Sequence, residues 1–233
     1  MTYFLFILLG FVLGSTLFAY WIPRLFFKTD ITKVPPDHNP GVANAYMQAG
    51  FFAGTLSLLC ELFKGAVPVF LAGRILDRDS MLFALVMAAP VFGHAFPFFQ
   101  KERGGKAIAV SFGVMIGLFP EIHPLFCLIL YYILFSLVLT LRPHSFRSVI
   151  TYGLFTLTVF LFVPVNSIRL GCFIISAIVI YRHVIRCHDE ALQALYVYQV
   201  FLMHPSAVLS SYRSPAEHLM TVFRHQYHNL PLC

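Results

Sequence analysis

Long apolar runs separated by short polar segments dominate the chain and set the elements to expect. Seven stand out, at 2–22, 50–72, 81–99, 107–120, 122–141, 149–166 and 168–185. About 20 apolar residues cross a bilayer as a helix, so each run is read as a membrane segment. Residues 1–23 carry no charge before Arg24. They lack the basic start and small-residue cleavage site of a signal peptide, so this segment is expected to stay in the mature protein. Two runs are short. Only 14 residues separate Lys106 from Glu121, a length that fits a re-entrant or tilted segment. The last run spans if Arg182 reaches back to the interface. The pattern predicts an all-α membrane protein, a seven-transmembrane-helix bundle with short re-entrant or tilted segments.

Composition agrees. Hydrophobic residues fill 59% of the 233 positions and charged residues 11%, against about 25% charged in a typical soluble domain. A soluble domain is excluded, and the runs leave no room for a separate one. No nucleic-acid partner is expected; the bilayer is. Cys60, Cys127, Cys172, Cys187 and Cys233 have no metal-ligand spacing. His225 and His228 make only a pair, whereas a structural zinc site needs about four ligands. No metal or cofactor is expected.

Charge then selects the topology. With seven crossings and the N-terminus outside, ten cations face the cytoplasm: Arg24, Lys28, Lys33, Lys101, Arg103, Lys106, Arg142, Arg147, Arg182 and Arg186. Three face outside, Arg74, Arg78 and Arg169. Were the fourth segment not to cross, the count would be seven against six. Short cytoplasmic loops favour Lys and Arg, so seven crossings are predicted.

Four polar segments then share the cytoplasmic face. In DHNPGVAN, Asn39, Pro40 and Gly41 signal a turn, with Asn44 three residues on; such a turn can offer backbone N–H groups to an anion. Gly104 and Gly105 permit close backbone approach, and Lys106 stands at a helix start that favours negative charge. His94 lies at the edge of a span, where an ionisable side chain is a functional candidate. RPHSFRS brings Arg142, Ser145, Arg147 and Ser148 together, suited to phosphate oxygens. His183 and Arg186 are three apart on the last helix. In the second run, Glu61 and Lys64 have the spacing of an ion pair on one helical face. Loop and interfacial-anchor chemistry accounts for each segment singly. Together they describe a basic pocket for a phosphate-bearing substrate at the membrane surface.

NPGVAN at 39–44, ELFKGAVPVFLA at 61–72, GHAFP at 93–97, GGKAIAV at 104–110, RPHSFRS at 142–148 and RH at 182–183 follow in order. So arranged, residues 3–187 resemble the bacterial membrane acyl-phosphate:glycerol-3-phosphate acyltransferases, the PlsY family. The resemblance implies a seven-helix acyltransferase domain over 1–187, with its active site on the cytoplasmic face of the bacterial plasma membrane. It implies transfer of a fatty acyl group from acyl phosphate to the sn-1 hydroxyl of glycerol 3-phosphate, giving lysophosphatidate. Lys106, His183 and Ser145 take the catalytic positions. By motif position Asn39, Gly41, Asn44, Gly104 and Gly105 bind substrate and phosphate, and the chemistry of their segments adds His94, Arg142, Ser148 and Arg186 to that set. A general base comes from the substrate's own phosphate or from His183.

The chain departs from the family pattern at Thr32, Pro36, Ala43, Met47, Val110 and Arg186. Thr32 and Met47 stand where arginines are usual, and each lost charge-assisted bond to phosphate is worth roughly 1.5–3 kcal/mol. Arg186, at a usual asparagine, is expected to restore one charge. A divergent substrate, either another polyol phosphate or another acyl donor, is the alternative, and a non-catalytic phosphate-binding membrane protein is a third reading. Residues 188–233 form a C-terminal tail, cytoplasmic or interfacial and helical, in which ALQALYVYQVFLM suits a surface-lying helix.

Overall fold

A computed structural model describes residues 1–33, 38–99, 104–139, 141 and 144–203, with side chains described to Ile185. The chain divides into two compact units, Met1–Val184 and Ile185–Cys233. The architecture below is that of the first.

Helix α1 (Thr2–Ser15) and helix α2 (Phe18–Phe26) together cover the first apolar run. They meet at a 43° bend across residues 16–17. The predicted single helix breaks there because Ser15 Oγ turns back to donate to the Phe11 carbonyl at 2.8 Å, a bond that competes with the helical ladder.

Helix α3 (Val42–Ile75) is interrupted at Gly50, φ +86° and ψ −179°, a conformation essentially confined to glycine. The short stretch before Gly50 folds against the long one after it. The Tyr46 ring covers Gly54, where a Cβ would collide with it, and Tyr46 Oη bonds Thr55 Oγ1 at 3.0 Å.

Helices α4 (Leu82–Ala95) and α5 (Ile108–Gly117) are shorter than their runs. For α4 the cause is Phe96-Pro97, since the residue before proline is pushed out of the helical region. Helix α6 (His123–Ile133) continues as a π turn, Leu134–Val138. Helix α7 (His144–Phe162) starts earlier than predicted and absorbs most of RPHSFRS into its first turns. Helix α8 (Asn166–Met203) supplies an apolar stretch over Asn166–Ile185.

Among the described residues three helices, α3, α7 and the first part of α8, are long and apolar enough to cross a membrane, or four if the bent α1–α2 pair is one span. Helices α4, α5 and α6 with its π turn are shorter apolar elements. No strand occurs among the described residues.

Glycines draw the helices together, as in membrane interfaces where close backbone contact replaces a hydrophobic driving force. Gly65, Gly113 and Gly117 bring α3 against α5; Gly10, Gly14 and Gly93 bring α1 against α4. Met87, Val110, Val114, Met115, Tyr152, Phe155, Cys172 and Ile175 fill the core between α4, α5, α7 and α8. Phe63, Phe126, Leu137 and Leu161 point outward and are exposed, as suits a lipid-facing surface.

Arg78 ties one end of the bundle. Its guanidinium donates to the carbonyls of Gly73, Leu118 and Phe119, each at 3.0 Å, and its own carbonyl accepts from Ser167 Oγ. The end of α3, the end of α5 and the start of α8 therefore lie together. The opposite ends of those helices gather the residues singled out in the sequence.

Candidate active site

The segment after α4 returns as a buried loop. Gly104, Gly105, Lys106 and Ala107 are all buried. The Gly105 N–H donates to the His94 carbonyl at 3.1 Å, and a Cβ on Gly105 would overlap the His94 ring. Gly104 packs as closely on the Ala95 carbonyl. Arg182, from α8, donates to the carbonyls of both glycines, with Nε 3.3 Å from Gly105 O, and its guanidinium lies 5.5 Å from the Phe96 ring centroid. Both loop carbonyls thus turn toward Arg182.

Ala107 then adopts φ +62° before α5 begins. A non-glycine residue held in the left-handed region is strained, and such strain clusters at functional sites. Lys106 stands just ahead of this N-cap residue, beside the α5 N-terminus, where unpaired N–H groups and the helix dipole favour an anion.

His183 lies on α8 one residue after Arg182 and is fully buried. Its Nδ1–H donates to the Val179 carbonyl at 2.8 Å. In the neutral imidazole Nε2 then keeps its lone pair, and no described protein group bonds it. The His144 ring stacks on it at 6.0 Å with 10° between planes. Lys106, His144 and Arg182 are its electrostatic neighbours. Ser145 and Ser148 are buried on the first turns of α7, and Ser148 Oγ donates to the His144 carbonyl at 3.2 Å. A cation, a buried imidazole and a clamped glycine turn at a helix start thus meet at one end of the bundle.

Asn39, Gly41 and Asn44 form a closed turn at the start of α3. Gly41 N–H and Asn44 Nδ2 both donate to Asn39 O, at 2.8 and 2.9 Å. Upstream, the hydroxyl and N–H of Thr32 donate to Asp30 Oδ1 at 2.7 and 3.2 Å. The hydroxyl bond, chiefly, holds the Asp30 carboxyl below its usual range. Met47 is exposed and Val110 buried. Arg142, Pro36 and the Arg186 side chain lie outside the described residues, as does the tail beyond Met203.

Two contributions exceed what the spacing announced. Arg182, which the sequence offered as a topological charge, grips the glycine turn; its signal was adjacency to His183. His94 meets the loop through its carbonyl and the Nε2 edge of its ring while its Nδ1 turns inward, 2.9 Å from Lys64 Nζ and 3.1 Å from Glu61 Oε2.

The glycerol-3-phosphate acyltransferase family profile matches residues 4–189. The chain belongs to the glycerol-3-phosphate acyltransferase family. A glycerol-3-phosphate acyltransferase of Desulfovibrio desulfuricans is 41% identical over 114 residues, 49% of this chain and 50% of the relative. The chain thus spans about half the length of that relative. One of Streptococcus thermophilus is 32% identical over 208 residues, covering 81% of this chain and 92% of the relative. Among solved structures, PlsY, an integral membrane glycerol 3-phosphate acyltransferase in its glycerol 3-phosphate form, superposes with a TM-score of 0.69. It shares 25% identity over 84% of this chain and 93% of that one. This member of the glycerol-3-phosphate acyltransferase family is accordingly a multi-pass, all-helical membrane protein.

Proposed function

We propose that the protein transfers a fatty acyl group from acyl phosphate to the sn-1 hydroxyl of glycerol 3-phosphate, releasing lysophosphatidate and orthophosphate for phospholipid synthesis. Lys106, in the clamped Gly104-Gly105 turn beside His183, is the observation that carries this reading. An acyl phosphate is already activated, so positioning and charge stabilisation suffice for the reaction. The glycerol hydroxyl oxygen bonds to the acyl carbon, and the carbon–phosphate oxygen bond breaks with its electrons leaving on phosphate. Lys106 and the α5 N-terminus stabilise that charge. The hydroxyl proton passes to the substrate's own phosphate or to His183 Nε2. Ser145 and Ser148 complete the phosphate site, and Arg142 and Arg186 are assigned to phosphate binding from the sequence alone. Asn39, Gly41 and Asn44 form the substrate-binding turn.

Residues 1–187 constitute the catalytic domain, with seven crossings, the N-terminus outside and the site on the cytoplasmic face of a bacterial plasma membrane. The ten-to-three cation bias supports this, as does the alternation of α3 to α8 between the Arg78 end and the Lys106 end. Residues 188–233 form a cytoplasmic or interfacial tail.

Purified protein in bilayers, given palmitoyl phosphate and glycerol 3-phosphate, is expected to form lysophosphatidate, with loss of activity in Lys106→Ala. Folded protein that makes no product beside an active family member would refute the activity. Product from a different polyol phosphate would move the reading to a divergent acceptor.

A further inference from the structure

Glu61 and Lys64 are buried inside the bundle, 2.7 Å apart, and the proposed chemistry uses neither. Burying such a pair often stabilises a fold no more than apolar packing would, which leaves stability alone a poor reason for its presence. Its neighbours supply another. Lys64 Nζ donates to the carbonyls of Gly14 and Thr16 at 3.0 and 2.7 Å. Those are groups that the end of α1 leaves without helical partners. Glu61 Oε1 accepts the Ala19 N–H at 3.1 Å, one of the donors that the start of α2 leaves free. The cation thus caps one side of the α1–α2 bend and the anion the other, each with the favourable sign for the helix dipole.

The same pair reaches the glycine turn. His94 Nδ1 contacts both charged groups, its carbonyl holds the Gly105 N–H and the Nε2 edge of its ring lies against Gly105. Ser15, in the same bend, accepts the Phe98 N–H at 3.3 Å, so the segment leading into the loop is held there too.

We infer that Glu61, Lys64 and His94 are positioning residues: a buried ionic clasp that fixes the Gly104-Gly105-Lys106 turn to the α1–α2 bend. They fix Lys106 beside the α5 N-terminus, where the substrate phosphate binds in the proposed reaction. The inference rests on the proposed function for its kinetic consequence, but not for its structural one.

The test compares wild type with Glu61→Leu/Lys64→Met, which replaces the whole pair by apolar side chains of similar size. Removing both partners avoids a stranded buried charge, so this variant is expected to fold. Hydrogen exchange of the 104–107 backbone is expected to quicken about tenfold while the α7 core stays protected. KM for the phosphate substrates is expected to rise by a similar factor, with kcat changed less. A merely structural role would shift melting temperature without singling out that segment. Glu61→Gln keeps an oxygen for Ala19 and removes the charge; should the double variant not fold, it carries the same exchange comparison. Unchanged 104–107 exchange in the folded variant would overturn the clasp. Should wild type form no product, the activity reading fails, and the exchange comparison still decides the clasp.

Discussion

Gly105→Ala isolates the loop geometry in one methyl group. The added Cβ falls on the His94 imidazole. That ring is held behind by Lys64 Nζ at 2.9 Å and Glu61 Oε2 at 3.1 Å, so it cannot retreat without breaking the buried ionic cluster. Overpacking at such a site costs about 1–3 kcal/mol. The loop is the softer partner, because on this side it is tied chiefly by the Gly105 N–H bond to His94 O at 3.1 Å. It is expected to shift, carrying Lys106 with it. Misplacement by about 1 Å costs on the order of 100-fold in rate, equivalent to about 2.7 kcal/mol of transition-state stabilisation.

The assay is kcat/KM for lysophosphatidate formation beside melting temperature in detergent. Gly153→Ala serves as the control, because nothing lies within 4 Å of a Cβ there and α7 gains roughly 1 kcal/mol of helix propensity. Gly105→Ala is expected to lose activity with a modest fall in melting temperature, and Gly153→Ala to keep activity. Activity of Gly105→Ala within threefold of wild type would refute the argument, since the methyl group would then fit without moving Lys106.

Other perturbations separate support from chemistry. His183→Ala is expected to lower kcat by about 100-fold if Nε2 takes the hydroxyl proton; a loss below threefold assigns that proton to the substrate's phosphate. Arg78→Ala removes three hydrogen bonds to carbonyls at the far end of the bundle. It is expected to cost about 3 kcal/mol at roughly 1 kcal/mol each, measured by chemical denaturation, with activity per folded molecule retained; a selective loss of activity would contradict the structural role. Thr32→Val removes the hydroxyl that holds the Asp30 carboxyl low. A depressed carboxyl stabilises the fold above its unfolded value of about 3.9 and loses that contribution as pH falls through the folded value. Wild type is therefore expected to melt higher than Thr32→Val at neutral pH, with the gap closing below about pH 4. A gap independent of pH would refute the assignment.

Sequence and tertiary structure determined different things here. Hydropathy alone announced a helical membrane protein, because a lipid-embedded backbone must satisfy its own hydrogen bonds and long apolar runs have few other solutions. The order of the polar segments was equally legible, since turn glycines, cations and histidines punctuate apolar runs conspicuously. So was the Glu61–Lys64 pair, for residues three apart on a helix share a face. Helix ends were less so. The break after Ser15, the reversal at Gly50 and the early stop of α4 before Pro97 depend on which local group captures a backbone partner, and hydropathy does not register that.

Only the tertiary structure brought Arg182 onto the carbonyls of Gly104 and Gly105, 78 and 77 positions away. It alone turned His94 inward onto a cluster drawn from α1, α2 and α3. Residue spacing encodes contacts within one helix, where geometry repeats every 3.6 residues. Contacts between helices are set by which glycine lets two backbones approach, and that is decided when the bundle packs.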